Sequence, residues 1–243
     1  LRALRAQIRA ELLLTLRRGD SVLLNLAIPL GLLVFFSLVD VLPKPAGVHH
    51  PVQFLTPGVL ALAVMSTSMV SLGIATGFER QYGVLKRLGV TPLGRGRLLG
   101  AKIVAVLAIE VVQVAVLTGA GLLLGWHPKG AIGLALPAIV LATVAFAGLG
   151  LLMAGALRAE VTLAAANGLY LLLLLLGGMI FPLTKLPEAL RLVAEALPAG
   201  ALSDALHGSL SSSGAGVPGR AWVVLAVWAV LAPVAAARLF RWE

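Results

Sequence analysis

The sequence predicts an all-α integral membrane protein with six transmembrane helices, and three observations carry that prediction. Of its 243 residues, 60% are hydrophobic and only 12% charged, with a mean hydropathy of +1.02. Soluble domains carry roughly 25% charged residues, so most of these side chains must face lipid or one another. Six apolar stretches follow one another at 21–42, 55–78, 98–125, 131–157, 161–180 and 221–239. Each is about the 20 residues that a helix needs to cross a bilayer. The third observation is the placement of positive charge, which alternates with the spans. Residues 1–243 read as a single transmembrane domain.

Orientation follows from that alternation, because Lys and Arg collect in loops that stay in the cytoplasm. One side holds Arg2, Arg5, Arg9, Arg17, Arg18, Arg80, Lys86, Arg87, Arg95, Arg97, Lys102, Arg158, Arg238 and Arg241. The other holds only Lys44, Lys129, Lys185, Arg191 and Arg220. Both termini are therefore expected in the cytoplasm of a multi-pass protein in a bacterial plasma (inner) membrane. The net charge of +9 belongs to these loops, so membrane lipids rather than nucleic acid are the expected polyanionic partner.

Residues 1–20 are too charged to span. Leu1, Leu4, Ile8 and Leu12 share one helical face and Arg2, Arg5 and Arg9 another, so this segment reads as an interfacial helix that ends where Gly19 and Asp20 turn the chain inward. The apolar run that follows is too long for the core of a cleaved leader and reads as a retained span. Small residues four apart, at Gly73 and Gly77, Gly121 and Gly125, and Ala164 and Gly168, suggest close helix approach. Pro29, Pro137 and Pro233 are expected to kink their spans.

Between spans two and three the chain reads GFERQYGVLKRLGVTPLGRGRLLGAK, with six of the nineteen Lys and Arg residues. Taken as one helix over 78–88, it puts Phe78, Tyr82 and Leu85 on one side and Arg80 and Arg87 on the other. Gly89 is a stop signal, and Thr91 followed by Pro92 is a start. The region 79–97 thus reads as helix, break, helix; an ordinary basic cytoplasmic loop is the competing reading. A second amphipathic region, within 181–219, opens a helix at Pro187, ends it at Pro198 and forms another over 202–210.

These residues resemble the type-2 ATP-binding-cassette exporter permeases. The resemblance rests on Glu79-Arg80, Gly83, Leu85, Leu88, Thr91-Pro92 and Arg97, and on the order of the elements: interfacial helix, six spans, coupling helix after span two, and an external re-entrant helical pair between spans five and six. It implies a coupling helix carrying Glu79, Arg80, Tyr82, Gly83, Leu85, Lys86, Arg87 and Leu88 that seats in a separate ATPase subunit. It also implies a pair of permeases, here a homodimer, with two ATPase copies. No G-x-x-x-x-G-K-[ST] phosphate loop occurs in the chain, so ATP and Mg would be bound by the partner and no cofactor by this chain. The implied activity is ATP-driven export by alternating access.

Candidate path residues lie inside the spans. Span two carries Thr67, Ser68 and Ser71, whose hydroxyls serve either helix packing or a translocation surface. Span five offers Asn167 and Tyr170, which the resemblance places near the dimer axis. Glu110 is the one carboxylate well inside a span, with Gln113 one turn on, and it has a coupling reading and a structural one. A low aromatic content, 5%, argues against a polysaccharide path and favours a hydrophobic drug, a lipid or another amphiphile.

The remaining chemistry is sparse. There is no cysteine, hence no disulfide or thiolate metal site. His49, His50, His127 and His207 all fall in segments read as external loops, without partners at ligand spacing, so neither a metal nor a catalytic residue is expected. Two other classes compete with the exporter: a secondary transporter or channel using Glu110, and a membrane-embedded enzyme using the external histidines. The charge asymmetry yields a direct test of topology. Reporters placed near Arg95 and after Glu243 should read cytoplasmic and one near Ser212 external; Arg95 and Ser212 reading the same side would overturn the six-span order.

Overall fold

The computed structural model describes residues 2–17, 19–39, 50–89, 94–180, 187–210 and 216–240. Every regular element among them is helical. In chain order these are α1 (Arg2–Arg17), α2 (Gly19–Leu38) and α3 (Pro51–Met65), a π-helical turn (Ser66–Ser71), α4 (Leu72–Gln81), α5 (Val84–Gly89), α6 (Arg95–Leu123), α7 (Ala135–Ala156), α8 (Ala159–Leu176), α9 (Glu188–Ala196), α10 (Pro198–Leu210) and α11 (Gly219–Leu239). A short 3-10 turn, Ile132–Leu134, leads into α7.

Among the described residues five helices are long and apolar enough to cross a membrane: Pro51–Gln81, Gly96–Leu123, Ile132–Ala156, Ala159–Leu176 and Gly219–Leu239. They match expected spans two to six within a few residues. The first expected span is represented by a shorter apolar helix, Leu23–Leu38, within α2, and residues 40–49 lie outside the described residues. Span two is one continuous rod in which α3 passes through the π turn into α4.

Punctuation at the helix ends follows residue chemistry. Pro51 and Pro198 each open a helix, where the missing N–H costs nothing. Pro198 was expected to end α9; it also starts α10, four residues before position 202. Gly125, at φ 89, is not a packing notch but a left-handed cap. The Trp126 N–H reaches the Gly121 carbonyl at 2.8 Å, and the Gly125 N–H reaches that of Leu122 at 3.1 Å, the paired bonds that close a helix C-terminus. Pro137 lies in the first turn of α7 rather than its interior, so it does not kink that span as expected. Pro29 and Pro233 are interior, as is Pro57 in α3.

The core is organised around α7, whose glycines let other backbones come close. A Cβ on Gly150 would meet the Met69 carbonyl oxygen at 2.5 Å, and one on Gly73 would meet that of Gly150 at 3.0 Å, so spans two and four cross there almost backbone to backbone. Gly148 lies against Ala232 and Pro233 of α11 in the same way. Gly77 touches Thr162 and Gly121 touches Thr56, as their spacing suggested. Ala164 and Gly168, by contrast, are exposed, and a Cβ on Gly168 would meet nothing within 4 Å.

The α9–α10 pair packs at the bundle end opposite α1 and α5, and α10 is largely buried. His207 sits in that helix and not in a loop. It is half-buried, with Nε2 3.0 Å from the Phe54 carbonyl oxygen, Nδ1 2.8 Å from that of Ser203 and its ring against Phe54. Burial holds its imidazole below the ordinary histidine value. Arg220 at the start of α11 joins Glu195 of α9 to Asp204 of α10, which locks the pair onto the last span.

The glycine crossing predicts a clear contrast. Gly150→Leu should cost about 1–3 kcal/mol or more through overpacking, seen as a lower melting temperature of the detergent-solubilised protein. Gly31→Ala, where a Cβ would meet nothing within 4 Å, should leave it unchanged. Equal melting temperatures for the two variants would show that the crossing is not close.

Candidate functional site

The connector after span two departs from a single helix over 78–88. Span two runs on to Gln81, Tyr82 and Gly83 form a break, and a separate short helix, α5, covers Val84–Gly89. Gly83 takes φ 71, which a residue with a Cβ rarely adopts, and its N–H caps the Arg80 carbonyl at 3.0 Å. The break therefore falls six residues before the expected stop at Gly89. Thr91 and Pro92 lie outside the described residues, as does the side chain of Leu88.

The candidates in this region divide by where they point. Leu85 is fully buried and belongs to the cluster formed by Leu72, Leu98, Leu99 and Leu151, so it anchors α5 to the bundle. Val84, Lys86 and Arg87 are exposed on α5, and Tyr82 is 73% exposed at the break. Arg80 turns inward across the bundle: its guanidinium donates to the carbonyls of Gly155, at 2.6 Å, and Leu157, which end α7. Span two is thereby tied to span four at the α5 end.

Glu79 also turns inward. It accepts from the Lys102 ammonium at 2.6 Å, and Glu11 of α1 accepts from the same ammonium at 3.0 Å. Lys102 is 2% exposed, so a residue read as a loop charge is a buried ion-pair centre joining α1, span two and α6. Gln7 donates to Glu11 at 2.9 Å and fixes it from the outer side of α1. The sequence carried a signal for part of this, an acid and a base at the facing ends of consecutive spans. Nothing marked Glu11 as the third member.

Deeper in the bundle lies a second polar cluster. Thr67 donates to Gln113 Oε1 at 3.0 Å, Gln113 Nε2 donates to the Asn25 backbone carbonyl at 2.7 Å, and the Asn25 amide pairs with Ser71 Oγ at 2.7 Å. Spans one, two and three meet here, on the face that the π turn presents. Asn25 was not among the candidates, although an amide inside an apolar run was visible. Ser68 spends its hydroxyl on the Val64 carbonyl. Glu110 does not join its neighbour Gln113 but faces span four, where Thr143 bonds Oε2. Asn167 is exposed on α8 and donates to Leu163 O at 2.8 Å, while Tyr170 is half-buried against the core.

The ion-pair centre and the amide cluster lie at two ends of one cavity of about 480 Å3, lined by α1, α2, span two and α6. A smaller polar recess of about 440 Å3 lies beside the break, between Gly83, Lys86, Arg158 and Glu160. Among the described residues no three His, Asp or Glu side chains converge where a metal could be held.

The ion-pair centre makes a stability prediction. Lys102→Met strips two buried carboxylates of their cation and should cost about 3–5 kcal/mol, whereas adding Glu11→Gln and Glu79→Gln should recover most of it. Chemical unfolding in detergent reads both, with exposed Lys129→Met as the control. A Lys102→Met variant as stable as that control would remove the ammonium as the joint between the three elements.

Comparison with known proteins agrees with this architecture. The chain is 27% identical to "Putative transport permease YvfS" of Bacillus subtilis (strain 168) over 206 residues, which is 80% of each chain. The family model for the ABC-2 type transporter matches residues 2–210, from the interfacial helix through α10. With α1, the spans from α3 through α8 and the short helix after span two inside that match, the chain belongs to the ABC-2 type transporter family and is a transmembrane permease component of an ABC transporter.

Proposed function

We propose that this chain is the permease subunit of an ATP-driven exporter, working as a homodimer with two copies of a separate ATPase subunit, and that it moves a hydrophobic drug, a lipid or another amphiphile outward by alternating access. The observation that carries this reading is α5. It is a helix outside the spans, set off by Gly83, with exposed Val84, Lys86 and Arg87 on its outer side and buried Leu85 on its inner side. Such an element can receive a push and pass it on. Leu85 bears on α6 through Leu98 and Leu99, and Arg80, just before the break, bears on the end of α7.

This geometry narrows the set of residues that would meet an ATPase. Glu79, Arg80 and Leu85 would transmit motion within the permease, while Tyr82, Gly83, Lys86 and Arg87 would stand at the contact, with Val84 added to them. By the charge asymmetry that end of the bundle would lie in the cytoplasm with both termini, and the α9–α10 pair would be external.

The second permease would pack on α8. Its outer face carries Ala164, Asn167, Gly168, Leu171 and Leu172, all exposed. An amide and a glycine on a lipid-facing surface suit a helix partner better than hydrocarbon, because small residues let backbones approach and a partner satisfies the amide. Glu110, bonded to Thr143 and absent from the cavity wall, reads as a tie between spans three and four rather than a coupling group.

The contact reading is tested by Val84→Asp with Arg87→Glu. Both side chains are exposed, so the permease should fold and insert normally while losing co-purification with its ATPase and ATP-dependent transport. Truncation of a packed interface residue typically costs about 2 kcal/mol or more, or at least tenfold in affinity. Lys129→Glu at the other end should change neither. Full retention of ATPase by the double variant would return the connector to an ordinary basic loop. Leu85→Asp is unsuitable for this purpose, since it places a carboxylate in the permease's own core.

A further inference from the structure

The cavity of about 480 Å3 lies within one subunit, between the interfacial helix and the first three spans, and its volume falls in the range of small-molecule sites. Its walls are apolar where Leu24, Leu72 and Val106 line it, and polar at both ends. Glu79 and Lys102 stand at one end. Asn25 and Ser71 stand at the other, eight residues back along span two, which is roughly 12 Å of helix.

Hydrogen-bond arithmetic shows what the deep end lacks. The Asn25 amide has two N–H donors, and Ser71 Oγ accepts one of them at 2.7 Å. The backbone carbonyl of Asn25 is held by Gln113 and its Oδ1 stands 3.0 Å from the same serine hydroxyl, so the residue is fixed in place with one amide hydrogen to spare. The π turn is an independent pointer. It widens one turn of span two and sets Thr67 and Ser71 on the cavity wall together, and π turns inside α-helices recur at functional sites.

We propose that this cavity is an amphiphile-binding site belonging to the single subunit. An elongated, single-chain amphiphile lays its apolar body between Leu24, Leu72 and Val106 and presents a carbonyl or hydroxyl oxygen to the spare hydrogen of Asn25. The site opens beside Phe78 and Tyr82, whose rings stack at 6.2 Å directly before the Gly83 break, so an occupant bears on the base of α5. This rests on the amphiphile-permease reading and goes beyond it by placing a site inside one subunit rather than between two. The same chemistry serves a transported amphiphile or the chain of a resident lipid.

The test uses the full permease without its ATPase, in nanodiscs of phosphatidylethanolamine and phosphatidylglycerol, photolabelled with a monoacylglycerol bearing a diazirine on its chain. Peptide mapping should place the label on 72–78 and 106–109. Ala75→Phe, which fills the cavity from its wall, and Asn25→Leu, which removes the donor, should each cut that labelling roughly tenfold, the equivalent of one hydrogen bond. Melting temperatures confirm folding, and Ala75→Phe carries the test alone if Asn25→Leu unfolds. Label released by ATP in the assembled complex identifies transported cargo; label displaced only by bulk phospholipid identifies a resident lipid; both support the site. Labelling that is absent, or equal in wild type and Ala75→Phe, overturns it even where ATP-driven export is intact. Labelling at the site without any export would instead count against the exporter reading alone.

Discussion

A single buried ammonium holds the α1 end of this molecule together. Lys102 can be taken out of water only because Glu11 and Glu79 come with it, and those two carboxylates belong to α1 and to span two. α1 is thereby fastened to the bundle by charge as well as by its amphipathic face. The last turn of span two is held in register by the same contact. Arg80, one residue on, reaches across to the end of span four, so two adjacent residues of one helix tie it to three others. An element attached just beyond that junction cannot move without moving the bundle.

Length and stiffness in span two follow a different constraint. Its backbone must cross α7 where Gly150 meets Met69 and Gly73, and such a crossing tolerates no side chain. The π turn falls at this crossing. An inserted residue in a helix rotates everything beyond it, so the hydroxyls of Thr67 and Ser71 are brought to the wall shared with Asn25 and Gln113, while Met69 and Gly73 keep their places against α7. The polar wall and the tight crossing are thus two faces of one irregular turn.

Much of this was legible from residues. Five of the six stretches that hydropathy picked out match candidate spans within a few positions, because twenty apolar residues have few alternatives to crossing lipid. The amphipathic α1, the α9–α10 pair and the break at the connector were legible too, each from a charge pattern or a Gly or Pro signal. What escaped was of another kind. The stop expected at Gly89 is where α5 ends, but the additional break at Gly83 escaped, because a left-handed cap needs a glycine and only the length of span two decides that one is used there. The roles of Glu11, Asn25 and Thr143 depend on partners 91, 46 and 33 residues away, and no local spacing encodes those pairs. His207 was counted with the external segments although the helix expected over 202–210 contains it; what escaped was its packing on Phe54, 153 residues away.

The placement of Glu110 shows why local spacing misleads inside a membrane. Three residues apart on one helix, Glu110 and Gln113 share a face in projection, yet one bonds to span four and the other to spans one and two. In water such a divergence would mean little, since either side chain could turn to solvent. In hydrocarbon each polar group must find a protein partner, and a helix packed on two sides distributes its polar residues between them. Gln113 thereby ties span three to Thr67 and Asn25 behind the cavity wall, and Glu110 ties it to span four. A carboxylate inside a span is an indicator of function when it faces a space that a ligand can enter; Glu110 faces no such space, whereas Asn25, Thr67, Ser71 and, at the ion-paired end, Glu79 line the cavity.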